Sequence, residues 1–232
     1  MNKLLTTIMS FIFVATAFTS ANSVEVRIGA TAQGAAFYGN ADEVLKDSGH
    51  KSSEEVIAAF NYGSAFAEVA FDEVYGVTLG MEYTPESINI DKHTRTVRDS
   101  TLPGLAAQTG NDTGDQVLEA VVEDLITLYV AVPIMDSGLY AKVGYIQASL
   151  QTKEVLATGS TYKDVDLAGM EYGVGYMGDI TDKVFFKVEG MFIDFDDISA
   201  SGSQVGGTAL SFNKISAELG GIAAKASIGV RF

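Results

Sequence analysis

From Val24 onward, apolar and polar residues alternate with a period of two in short repeated runs, the pattern of strands and not of helices. The last run is the cleanest. Ile222, Ala224, Ala226, Ile228, Val230 and Phe232 share one face, and Gly221, Ala223, Lys225, Ser227, Gly229 and Arg231 share the other. A first strand sets Val24, Val26, Ile28 and Ala30 against Glu25, Arg27, Gly29 and Thr31. A second, over 54–71, is poorly patterned: Phe60, Tyr62 and Phe66 have one parity, Val69 and Phe71 the other, and Glu68 falls between. A bulge near Gly63 to Ala67 is expected to reconcile them. The third sets Val77, Leu79, Met81 and Tyr83 against Thr78, Gly80, Glu82 and Thr84, and Pro85 stops it. The fourth, from about Val117 to Val132, sets Val122, Ile126, Leu128, Val130 and Val132 against Glu123, Leu125, Thr127 and Tyr129, with Asp124 interrupting the apolar face.

The fifth strand carries Leu139, Ala141, Val143 and Tyr145 against Tyr140, Lys142 and Gly144. The sixth carries Ala168, Met170, Tyr172, Val174 and Tyr176 against Gly169, Glu171, Gly173 and Gly175. The seventh carries Val184, Phe186, Val188 and Phe192 against Phe185, Lys187, Glu189 and Met191. Between the eight predicted strands the links alternate in length. Polar links over about 40–53, 85–116, 151–164 and 194–213 are long; those at 72–75, 133–138 and 178–183 are short. An even strand count with short turns at one end and long loops at the other predicts an all-β fold: a closed antiparallel up-and-down transmembrane β-barrel. A hairpin hidden in Ile88 to Leu118 would raise the count to ten and widen the lumen.

The face opposite the apolar one carries Glu25, Arg27, Glu82, Glu123, Lys142, Glu171, Lys187, Glu189, Lys225 and Arg231. A Lys or Arg on a lipid face at mid-depth costs about 2–4 kcal/mol. Several of them would exceed a typical stability of roughly 5–15 kcal/mol, so this face is expected to point inward. Eight strands enclose only enough space for side chains to fill. The expectation is therefore a lumen plugged by paired charges, with glycines on the same face making room for the longer side chains. Aromatic residues near strand ends (Phe37, Tyr38, Tyr75, Tyr83, Tyr140, Phe185, Phe232) suit interface girdles.

The start of the chain changes the picture of where this barrel resides. Lys3, the apolar run Leu4 to Phe18 and small residues at 19–23 predict a secretory signal peptide over 1–23, cleaved near 21–23, with the barrel domain over 24–232. No later run approaches the ~18 apolar residues of a spanning helix. There is no cysteine, hence no disulfide, thiolate metal site or lipid attachment. The formal net charge of −15 disfavours nucleic acid as a partner. It suits solvated loops, or divalent-cation bridging to anionic lipopolysaccharide.

The closing strand with its terminal Phe232, the signal segment and the strand rhythm resemble the small bacterial outer-membrane β-barrels of the OmpA, OmpX and opacity-protein type. The resemblance spans essentially the whole mature chain. It implies location in the outer membrane, contact with outer-membrane lipids and lipopolysaccharide, and a monomer. It also implies that Ile228, Val230 and Phe232 serve as the signal read by the barrel-assembly machinery. The expected role is structural or interactive, through long outer loops meeting lipopolysaccharide, other cells or host surface ligands. A small porin-like channel is the alternative; a lipid A-modifying barrel enzyme and a soluble lipid-binding barrel follow. Because the sequence ends at the barrel, no peptidoglycan-binding domain is expected to follow it.

Other motifs add little. Gly173, Gly175 and Gly178 match G-x-G-x-x-G, but within a strand and with a strand following, where dinucleotide binding needs a helix. Asp194, Asp196 and Asp197 with Glu189, and Asn111, Asp112 and Asp115, lack the spacing of a calcium loop. His50 lies near Asp47, Ser48, Ser52 and Ser53, and His93 near Asp91 and Asp99, as a rim catalyst would require, but polar loops hold such residues anyway. No cofactor, metal or catalytic residue is assigned, and the protein is not expected to be an enzyme.

Overall fold

The computed structural model describes residues 24–44, 51–98, 113–155, 163–201 and 214–232. The signal segment, His50, Asp47, Ser48, Asp99, Asn111 and Asp112 lie outside the described residues. The strands are β1 (Val24–Val44), β2 (Lys51–Phe71), β3 (Val77–Thr84), β4 (Ile88–Arg98), β5 (Thr113–Pro133), β6 (Leu139–Val155), β7 (Val165–Asp179), β8 (Val184–Phe195), β9 (Ile198–Ser201) and β10 (Lys214–Arg231). All pair antiparallel, in the order β1-β2-β3-β5-β6-β7-β8-β10, and β10 returns to β1 to close the wall. These ten segments make eight staves. Pro85 ends β3, and β4 continues the same stave against β5; likewise β9 continues β8 against β10. The hairpin between Ile88 and Leu118 is therefore present, but it lengthens a stave and adds none.

Paired residues can be followed once round the wall: Val69, Leu79, Val130, Val143, Tyr172, Phe192, Ile222, Ala36 and back to β2 at Ala59. The return is ten residues nearer the start of β2. For eight strands that displacement sets a strand tilt of about 40°. The outer wall is apolar, as hydrocarbon requires: Leu79, Leu128, Val143, Tyr172, Val174, Val188, Phe192, Ile222 and Ile228 are all exposed. Ile134, Tyr176 and Tyr75 continue this surface toward the short-turn end.

Three expectations about the strands are corrected. The links at 40–53, 85–116, 151–164 and 194–213 are shorter than their polarity suggests, because ladders continue into them as far as Val44, Arg98, Val155 and Ser201. Above an apolar belt both strand faces can be polar, and alternation stops marking the strand. Second, β2 carries no bulge: its register with β1 runs without a shift from Lys51 to Phe71. Phe60, Tyr62, Ser64, Phe66 and Glu68 all face the interior, and Asn61, Ala65 and Ala67 between them face out. Third, the bulge lies in β5, where Asp124 and Leu125 together oppose Ala148. Asp124 takes φ 53 there. The extra residue reverses parity, so Val122 packs against the interior while Thr127 and Tyr129 do so below the bulge.

The interior has two storeys. Nearer the short turns it is charged. Nearer the long links it is apolar: Ala35, Tyr62, Ile146, Ala148, Leu167, Met191, Ile193, Phe195 and Ala223 form one cluster, with Phe37, Phe60, Ile88 and Leu150 against it. The wall beside this upper storey is incomplete. β2 pairs with β3 only from Ala65 to Phe71, and among the described residues no ladder joins β2 to β4.

Candidate functional site

The lower storey is built by strand alternation. Every second residue of a stave points inward, and neighbouring staves bring these residues to one level. Glu68 on β2, Glu82 on β3, Lys142 on β6, Glu171 on β7, Lys187 and Glu189 on β8 and Lys225 on β10 are all buried. Two lysines hold three of the carboxylates. Lys142 Nζ lies 3.3 Å from Glu171 Oε1, 3.3 Å from Glu189 Oε1 and 3.6 Å from Glu82 Oε2. Lys225 Nζ lies 2.9 Å from Glu171 Oε2 and 3.1 Å from Glu82 Oε2.

The third lysine serves the fourth acid. Lys187 Nζ donates to Glu68 Oε1 at 2.5 Å and sits 3.8 Å from the centre of the Phe66 ring. Neutral donors complete the shell: Tyr129 OH to Glu68 (2.6 Å), Tyr140 OH to Glu189 (2.9 Å), Ser64 Oγ to Glu82 (2.5 Å) and Gln33 Nε2 to Glu82 (3.4 Å). Buried charge is tolerated only when paired and hydrogen-bonded in this way. Two tyrosine rings need glycines to fit. A methyl group at Gly80 would fall on the Tyr129 ring, and one at Gly175 on the Tyr140 ring.

Below this cluster, at the mouth, Arg27 pairs with Glu25, and Arg231 pairs with Asp179 and lies 3.9 Å from Glu25. Both guanidinium groups lie over Phe185, at 5.9 Å and 5.3 Å. Counting this rim, six acids face five bases among the described residues. A cavity of about 120 Å³ separates rim from cluster, bordered by Arg27, Glu68, Thr78, Tyr140 and Lys187.

Of the ten charged residues singled out from the sequence, the structure brings together Glu82, Lys142, Glu171, Lys187, Glu189 and Lys225 in the cluster, and Glu25, Arg27 and Arg231 at the rim. Glu123 is a correction. It stands opposite Ser149 on the outward side of the β5 bulge and accepts from Gln151 Nε2 (2.6 Å) and Ser87 Oγ (3.3 Å). Sequence reasoning missed Glu68, because the supposed bulge in β2 obscured its parity. It also missed the tyrosine donors, although Tyr129 and Tyr140 alternate in step with the charges.

Ile228 and Phe232 are exposed on the outer wall with Val230. Gly173, Gly175 and Gly178 sit within β7. Among the described residues no group of three or more acidic or histidine side chains is placed to hold a metal. Asp194, Asp196 and Asp197 are exposed, and His93 lies in β4 opposite Leu118.

No protein-family model matches the chain, and no curated protein matches it in sequence. Solved structures do. The outer membrane protein OprG from Pseudomonas aeruginosa superposes with a TM-score of 0.56 at 12% identity, over 90% of this chain and 96% of OprG. The outer membrane protease OmpT from Escherichia coli matches with a TM-score of 0.46 at 12% identity, over 91% of this chain and 97% of OmpT. Neisserial surface protein A matches with a TM-score of 0.30 at 13% identity, over 88% and 97%. The likeness to OprG is one of fold. With that fold, an outer wall made for hydrocarbon and its charges turned inward, the chain is a closed β-barrel of eight staves, similar in fold to that outer-membrane protein.

Proposed function

We propose that this barrel has a structural and surface-interaction role in the outer membrane and is closed to ions. One observation carries the reading: seven buried charged side chains, mutually paired, fill the lower storey of the lumen. A conducting pore would leave such groups hydrated. In this reading residues 1–23 direct export, and Ile228, Val230 and Phe232 present the strand to the assembly machinery. The monomer then meets lipopolysaccharide and surface ligands through its long links, without catalysis. The test is single-channel conductance of the mature chain refolded into planar bilayers, with insertion checked by protease protection. Silence from inserted protein is expected; reproducible open steps would transfer the protein to the porin-like alternative.

A second reading rests on the incomplete wall. The apolar upper storey adjoins the stretch where β2 lacks a ladder to β4, so a small apolar molecule entering from outside would find an apolar surface and a sideways route into lipid. The charged storey beneath would bar it from the periplasm. Uptake of an apolar fluorophore into vesicle lipid, faster with protein than without and slowed by a disulfide between cysteines placed on β2 and β4, is the outcome this reading requires.

A further inference from the structure

The buried cluster does not balance. Glu68, Glu82, Glu171 and Glu189 bring four carboxylates, and Lys142, Lys187 and Lys225 bring three ammonium groups. They form one network, because Tyr129 stands between its halves: Lys142 Nζ lies 4.0 Å and Lys187 Nζ 5.9 Å from the centre of that ring. The rim adds no spare base, since Arg27 and Arg231 are matched there by Glu25 and Asp179. One negative charge is thus left over among the described residues. A buried charge without a counter-charge is costly, and neutral hydrogen-bond donors do not cancel it.

Space decides where that charge can be met. Glu68 Oε1 takes both Lys187 and Tyr129, whereas Oε2 accepts no hydrogen bond among the described residues, although Glu68 is only 3% exposed. Glu68 borders the cavity of about 120 Å³ beneath the cluster, together with Thr78 and Ala131. Roughly 10–15 Å³ suffices for one water, so the cavity admits an ion with part of its hydration shell. Thr78 Oγ1 donates to the Gly76 carbonyl at 3.2 Å and keeps its lone pairs for a ligand. A water would satisfy Glu68 Oε2 but not the charge. We propose that this cavity is a site for one monovalent cation, held by Glu68 Oε2 and Thr78 Oγ1 and completed by water. Hard cations take such oxygen ligands, and a divalent ion would only reverse the imbalance. The ion enters from the mouth and stops at the cluster, so the site needs no open lumen.

The test is urea unfolding of the refolded mature chain at constant ionic strength, with sodium or potassium chloride replacing the chloride of N-methyl-D-glucamine, a cation too large for the cavity. When unfolding releases one bound ion, the unfolding constant falls about tenfold for each tenfold rise in that ion above its dissociation constant. This slope of one ion is expected for sodium, potassium or both. E68Q removes the excess charge, and A131L fills the cavity while leaving every charge in place; both are expected to abolish the slope. A heat-modifiable gel shift identifies folded protein. A131V serves where A131L does not fold, and any one variant that folds carries the comparison. No slope in the parent with either ion overturns the proposal and leaves the charge to a bound proton. A slope that persists in E68Q or in the filled cavity also overturns it and assigns the ions to the acidic outer links.

Discussion

Glu68 on β2 and Lys187 on β8 meet across the lumen, 2.5 Å apart, although 119 residues separate them in sequence. Tyr129 adds a hydrogen bond to the same carboxylate oxygen. Removing one partner strands the other charge in a buried site, which costs about 3–5 kcal/mol. K187M is therefore expected to lower the urea midpoint of the refolded barrel strongly, and E68Q/K187M to recover much of the loss. Equal effects of the single and double variants would mean the pair is not coupled.

At the rim the same kind of contact is worth little. Asp179 is largely exposed, and Arg231 retains Glu25 nearby. An exposed pair contributes about 0–1 kcal/mol. D179A is expected to leave urea unfolding within that range of the parent, in contrast with any substitution in the cluster. A loss comparable with K187M would show that the mouth is as dry as the interior.

Gly175 accommodates the Tyr140 ring, whose hydroxyl donates to Glu189. G175V would push the ring away, overfilling the lumen and leaving that carboxylate one donor short. Overpacking costs about 1–3 kcal/mol. The added Y140F change should relieve little of it, because the ring and not the hydroxyl is displaced. Denaturant titration of the two variants checks this order.

The β5 bulge sets which face of the strand is inside. Deleting Leu125 leaves Asp124 alone opposite Ala148 and turns its side chain toward the apolar storey, while Val122 stays opposite Leu150 and Glu123 opposite Ser149. Burying a carboxylate without a basic partner is costly. The deletion variant is expected to refold in low yield, and deletion combined with D124V to regain it. Gel-shift refolding assays report both.

Much of this was legible in the sequence, and what was not has physical causes. The period of two located eight staves, because lipid outside and charge inside impose opposite chemistry on alternate residues. It failed at both ends of that contrast. Above the belt, strands such as β1 from Asn40 to Val44 and the whole of β4 have polar faces and resemble loops. In the upper storey the interior is itself apolar, so Phe60 and Tyr62 looked as if they belonged outside and suggested a bulge in the wrong strand. The cluster was legible as a set of types and parities. Its pairings were not, because they join staves brought together by a ten-residue displacement around the wall, which local alternation does not encode.

Because β4 stands on β3 and β9 on β8, each against the neighbour its lower segment already uses, the outer segments are stacked on the wall and not inserted into its circumference. Lengthening or shortening them changes how far the rim rises above the membrane while the girth, set by eight staves and their stagger, stays constant. The surface-exposed half is thereby free to diversify without renegotiating the fit of Lys142 among its three carboxylates below.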